Sequence, residues 1–241
     1  MRYVVISVDY EIFGNGTGDV RRHIIEPTEH MLKLGDEHGT PFTIFFEMEE
    51  YLAFERNDAQ LTADLGYSPA RLMREQGADL VKRGHDLQLH LHPQWEASAY
   101  ANGAWKLDFS KNAVDDLFAS QDAADRYIAE RKRGLEKIAS DGEPGRKVRA
   151  YRAGAFCAQP GTRLLRALAK EGFLIESSVV KGLRRNNAKG TFDYTRAPEG
   201  KRMWRVSDDV AAETARGPIM EIPVHSWMSR RWRQITPSRL K

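Results

Sequence analysis

The chain has 241 residues, 41% of them hydrophobic and 29% charged, a balance that excludes a collagenous, low-complexity or disordered chain and suits one domain with a sizeable core. Its 37 basic and 34 acidic side chains leave a net charge of +3, so the overall field argues neither for nor against an anionic partner. The single cysteine, Cys157, excludes an internal disulfide and any cysteine-rich zinc site, and leaves metal binding to histidine and carboxylate.

Residues 2–8 are β-branched and aromatic and predict a buried first strand ending at Asp9. A glycine-rich loop, Gly14-Asn15-Gly16-Thr17-Gly18, follows it. Pro27 opens a helix that Gly39 terminates, and 41–46 is a second strand. A helix over 69–83, closed by Gly84, feeds the strand 86–92. There Leu87, Leu89 and Leu91 alternate with Asp86, Gln88, His90 and His92, so the polar side chains share one face. A loop from 93 to about 112 leads to a long helical pattern over 113–138. Strands at 147–151 and 173–180 flank a helix at 160–170. Short strands at 203–206 and 218–224 complete the chain. No 20–50 residue repeat and no linker composition is visible, so 1–241 reads as a single domain. No apolar run approaches the roughly 20 residues of a membrane span, and the first residues lack the pattern of a secretion signal. The expected location is cytoplasmic. Strands alternating with helices imply parallel βα units and an α/β fold.

Charged and ligating groups collect at the C-terminal ends of these strands: Asp9 after the first, His90 and His92 on the third, Arg152 after the next, His225 after the last. That edge carries the active site of parallel α/β folds, because the loops converge there. Asp9 and Glu11 lie two residues apart, as do His90 and His92, and in extended chain each pair occupies one face at about 6 to 7 Å. Imidazole nitrogens with a carboxylate oxygen form the ligand set of catalytic zinc, and His85 and Asp86 are placed in sequence to orient such ligands. The plainer alternatives are polar side chains satisfied at a strand end for the histidines, and a helix cap or loop ion pair for the acids.

These segments resemble the NodB-like polysaccharide deacetylases. Ser7-Val8-Asp9-Tyr10-Glu11 is similar to a form of that family's first motif, and Gly84-His85-Asp86-Leu87-Gln88-Leu89-His90-Leu91-His92-Pro93 to its second. Tyr151-Arg152-Ala153-Gly154 is similar to the third, and Glu221-Ile222-Pro223-Val224-His225 falls near the last. The resemblance implies a deformed (β/α) barrel of about seven parallel strands and a metal-dependent hydrolase that removes acetyl from an N-acetylated sugar or polysaccharide. It implies Asp9 as general base, Glu11 and His90 as ligands of a divalent metal, zinc by preference, Arg152 as the group that orients Asp9, and His225 as the acid. The family's second histidine ligand falls four residues after the first, where this chain has Gln94; the strand-face argument puts His92 in its place. The family's acid-and-tryptophan motif has no clear counterpart, although 176–180 occupies its region. The basic tail, about 229–241, is consistent with a truncated C-terminus. The rival readings are a hydrolase of cyclic amides or other non-peptide C–N bonds and a non-catalytic carbohydrate binder.

Other signals carry less. Asp19 replaces the last glycine of a dinucleotide fingerprint, and no phosphate loop, Gly-x-Ser-x-Gly elbow or His-Glu-x-x-His helix occurs. Lys181, Arg184, Arg185 and Lys189, with 230–233, read as a solvated face before they read as a site for an acidic ligand, and no nucleic acid is expected. Trp95, Tyr100 and Trp105 suit either sugar stacking or core packing, and Cys157 reads as a buried hydrophobe. The expected partner is a saccharide or a small N-acylated compound.

Overall fold

The computed structural model describes residues 4–187 and 190–225. Strand β1 (Ser7–Tyr10) leads through a π-turn at Arg21–Ile25 to α1 (Glu26–Glu37), then β2 (Thr43–Glu47), α2 (Met48–Arg56), α3 (Asp58–Leu65), α4 (Pro69–Lys82) and β3 (Asp86–Leu91). A small hairpin, β4 (Ala99–Ala101) and β5 (Ala104–Lys106), precedes α5 (Gln121–Gly142), β6 (Ala150–Ala153), α6 (Thr162–Lys170) and β7 (Ile175–Glu176). A second hairpin, β8 (Arg184–Asn187) and β9 (Gly190–Asp193), is followed by β10 (Trp204–Val206) and β11 (Ile219–Glu221).

Seven strands form one sheet in the order β1-β2-β3-β6-β7-β11-β10. The expectation of about seven parallel strands needs correction, because β10 pairs antiparallel with β11. No helix links β10 to β11, and a parallel return would need a crossover, usually helical. Among the described residues β1 and β10 are the two edges and do not pair, so the sheet is curved without a demonstrated closure.

Propensity and packing place the helices. Ser68 caps α4 by accepting Arg71 N–H, with Pro69 in the first turn. At Gly142 a Cβ would overlap the Ala78 backbone, and at Gly77 it would press on Ile138, so both glycines permit the close crossing of α4 and α5. The predicted helix over 113–138 is divided. A short 3₁₀ turn at Val114–Leu117 buries Val114, and Ser120 then accepts Ala123 N–H and starts α5 anew. Helices α2 and α3 have no counterpart among the predicted elements. The buried side of α2 includes Glu49 and Glu50, which hides the apolar periodicity a helix normally shows. No helix of the described residues is long and apolar enough to cross a membrane.

Candidate metal centre

The register sets the site. Glu47 of β2 pairs with His90 of β3, and His90 with Arg152 of β6. Tyr10 pairs with Phe46, so Glu11 follows β1 at the level of Glu47. Four functional side chains thus occupy one transverse row at the C-terminal edge. Asp9 lies two residues lower on the same face, as strand alternation requires.

Arg152 shows that this face is concave. Its Nη1 donates to Asp9 Oδ1 at 2.6 Å and its Nη2 to Ser7 Oγ at 2.8 Å, although three strand spacings, roughly 14 Å in a flat sheet, separate β6 from β1. The bond forms because the sheet curls. The guanidinium lies 4.0 Å from the centre of the Phe45 ring beneath it, and Nε donates to Ser177 O at 2.8 Å. Arg152 is therefore held from four sides and presents a fixed cation to Asp9.

Glu11, Glu47, His90 and His92 each bring one ligand atom within 4.8 Å of the others. His92 Nε2 is 2.7 Å from Glu11 Oε2 and His90 Nε2 is 3.7 Å from it. Both imidazole nitrogens and Glu47 Oε2 are buried without a hydrogen-bond partner, the short His92–Glu11 approach lacking the alignment of a true bond. Buried polar atoms left this way are costly in isolation. A shared divalent cation would satisfy all of them, and two carboxylates would neutralise its charge.

The second ring nitrogens are engaged. His90 Nδ1 is 2.9 Å from Arg152 O, a carbonyl that can only accept, so Nδ1 carries the proton and Nε2 keeps its lone pair. Gln94 Nε2 lies 2.6 Å from His92 Nδ1. As placed the amide donates and Nδ1 accepts; turning the amide over, so that Oε1 faces the ring, puts the proton on Nδ1 and frees Nε2. A Cβ on Gly154 would overlap the His92 ring, so the glycine of Tyr151-Arg152-Ala153-Gly154 makes room for that imidazole.

Glu47 belongs to none of the motifs above, yet its position carries a signal: it ends β2 as a carboxylate at the C-terminal edge. Its Oε1 caps α2 by accepting Glu49 and Glu50 N–H at 2.9 and 3.3 Å, leaving Oε2 to the cluster. Burial, reinforced by Glu11 and opposed by His92, pushes its pKa up to about 8. Burial also tends to raise Glu11, but His92 and His90 outweigh it and hold that carboxyl well below the usual range. Burial disfavours the His90 imidazolium, and contact with Glu11 and the charge of Asp9 reverse the balance and raise its pKa. Glu50, which accepts Ile12 N–H, is pushed well up by burial and by the neighbouring Glu47 and Glu11. Without a cation the cluster therefore retains protons that a cation would displace.

Other expected residues lie elsewhere. His225 is exposed one residue beyond Val224, which bridges Val180 past the end of β11. His85 and Asp86 do not orient the ligands: they stand at the opposite end of β3, where His85 Nδ1 accepts Phe42 N–H and Nε2 meets Asp36, while Asp86 binds Arg146 and Gln88. Trp95 is a core residue packed edge-on against Phe54 and Trp105. Cys157 is buried, and burial pushes its thiol pKa up. Arg185 donates to Ala155 O and Lys181 to Pro198 O. Lys189 and the basic tail lie outside the described residues.

A cavity of about 120 Å³ between β1 and α1 is bordered by Asp9, Glu11, His23, Thr28 and Met31. A larger cleft, about 480 Å³, lies between the β8–β9 hairpin and 159–162, and no cluster residue lines it. The unpartnered ligand atoms, not cleft size, mark the centre.

No protein-family model matches the chain, and no curated protein matches it. A solved structure, a candidate polysaccharide deacetylase from Mycobacterium smegmatis, is similar over 83% of this chain at 16% identity and a TM-score of 0.44. The chain spans 45% of that protein's length. At that similarity it bears on neither site nor activity.

Proposed function

We propose that this chain is a metal-dependent hydrolase that removes the acetyl group from an N-acetylated saccharide. The observation that carries the reading is the convergence of Glu11, Glu47, His90 and His92 beside an Asp9 carboxylate clamped by Arg152. The motif resemblance around Asp9, His90 and Arg152 supplies the substrate class.

A divalent cation in the cluster, zinc by preference, would supply a Lewis acid for the amide carbonyl and would lower the pKa of water from about 16 toward 7. Glu11, Glu47, His90 and His92 would hold it. Asp9, 27% exposed in its side chain, retains access to solvent and takes the proton of the attacking water; such a base contributes about 10² to 10⁴ in rate. Arg152 keeps Asp9 oriented through the 2.6 Å bond. His225, exposed beyond the end of β11, is the group the motif resemblance assigns to return a proton to the departing amine. The cavity bordered by Asp9 and Glu11 offers space for part of a substrate.

Acetate release from N-acetylated oligosaccharides, measured on purified and on chelated protein, tests the reading. Activity is expected in the first sample, lost in the second and restored by zinc. His90→Ala should lose both bound metal and turnover. Undiminished acetate release after exhaustive chelation would overturn the proposal.

A further inference from the structure

Besides Glu49 and Glu50 on α2, two carboxylates outside the cluster are also fully buried at the far side of the sheet. Glu176 of β7 and Glu221 of β11 are register partners on neighbouring parallel strands, and both are 0% exposed. Burying a carboxylate is costly unless its oxygens find strong donors. Ser178 supplies two to Glu176: its N–H donates to Oε2 at 3.0 Å, and its hydroxyl donates to Oε1 in a short bond.

With its proton committed to Glu176, Ser178 Oγ acts as an acceptor, and it accepts Ala153 N–H at 2.7 Å. That N–H belongs to the same peptide group as the Arg152 carbonyl. The carbonyl in turn lies 2.9 Å from His90 Nδ1. Carboxylate, hydroxyl, peptide and imidazole are thus linked in series, and every donor in the series points toward Glu176.

We infer that Glu176 and Ser178, acting through the Arg152–Ala153 peptide, form a hydrogen-bonded relay that fixes the His90 tautomer and strengthens His90 Nε2 as a donor to the cation. The inference rests on the reading of His90 as a metal ligand. Hydrogen bonds in series polarise one another: negative charge on Glu176 makes Ser178 Oγ a better acceptor, the peptide more polar and Arg152 O a stronger acceptor of His90 Nδ1–H. Partners of this kind raise ligand basicity. Glu176 and Ser178 touch neither cation nor substrate and are positioning residues. Glu221 supports the arrangement. Burial and the adjacent Glu176 raise its pKa well above the ordinary value.

The test compares wild type, Ser178→Ala, Glu176→Gln and His90→Ala for zinc affinity, by competition with a chromogenic chelator, and for the His90 ring Nδ1–H resonance by NMR. Ser178→Ala should weaken zinc binding by about tenfold, the low end for partners behind a ligand, and move the Nδ1–H resonance upfield. Glu176→Gln should shift both readouts in the same direction and provides them if Ser178→Ala does not fold. Wild-type zinc affinity with an unmoved resonance in either folded variant overturns the relay. If His90→Ala binds zinc as tightly as wild type, the reading of the metal centre itself fails, which separates the two outcomes.

Discussion

The two ends of the sheet each bring carboxylates together in or beside the core, and they treat them differently. At the β1–β3 end, Glu11 and Glu47 face two imidazoles whose Nε2 atoms find no hydrogen-bond partner. At the β7–β11 end, Glu176 is satisfied by Ser178, and Glu221 accepts Val179 N–H at 3.2 Å. The first group combines unspent lone pairs with negative charge, the composition a cation requires. The second has no imidazole in it and is met by hydroxyl and backbone donors. Buried acid by itself therefore marks nothing, nor does an unpartnered carboxylate oxygen, which Glu221 Oε2 also is; the nitrogen ligands distinguish a binding centre from a hydrogen-bonded brace.

The contrast can be broken most sharply at Asp9, which serves the first group without belonging to it. Asp9→Asn should retain metal by elemental analysis while acetate release falls by about 10² to 10⁴; a wild-type rate would remove Asp9 as the base. A smaller effect is expected at Gly154, where a methyl group would displace the His92 ring. Gly154→Ala should weaken zinc binding by about tenfold with little change in secondary structure by circular dichroism.

Protonation sharpens the comparison next. The folded pKa of Glu47, about 8, lies above its unfolded value near 4.5. Its neutral form favours the fold at low pH, and that contribution declines as pH rises from about 5 through about 8. Metal-free protein should thus lose stability over this window in denaturant titrations, and zinc should restore it. Zinc binding at pH 7 should release Glu47's proton, measurable by calorimetry in buffers of different ionisation heat. The smallest effect belongs to the other end. Glu221 also has a raised pKa, so Glu221→Gln removes a group that opposes folding as pH increases. It should raise the melting temperature at pH 8 by about 2 to 4 °C, the shift produced by about 1 kcal/mol in a domain of this size, with zinc affinity unchanged.

Much of this was legible in the chain because it depends on local pattern. The alternation across 86–92 placed His90 and His92 on one face, and period-2 spacing did the same for Asp9 and Glu11. The strand-end rule also singled out Arg152, whose bond to Asp9 the curled sheet makes direct. Other parts had no local signal. Helix α2 buries glutamates where apolar residues would announce a helix. The strand 173–180 shortens to Ile175–Glu176, and β10 turns antiparallel, both decided by which neighbours offer a ladder. His85 sits in the same motif as His90 but at the opposite end of the strand, a distinction that motif proximity cannot express.

The sequence by itself determined an alternating α/β chain with histidine and carboxylate pairs at strand ends, because side-chain direction in a strand follows from backbone geometry alone. Only the tertiary structure brought Glu47 into the cluster, joined Arg152 to Asp9 across three strand spacings and placed Glu176 behind His90. Those contacts depend on strand order, register and sheet curvature, which arise from packing between residues far apart in the chain and leave no trace at any single position.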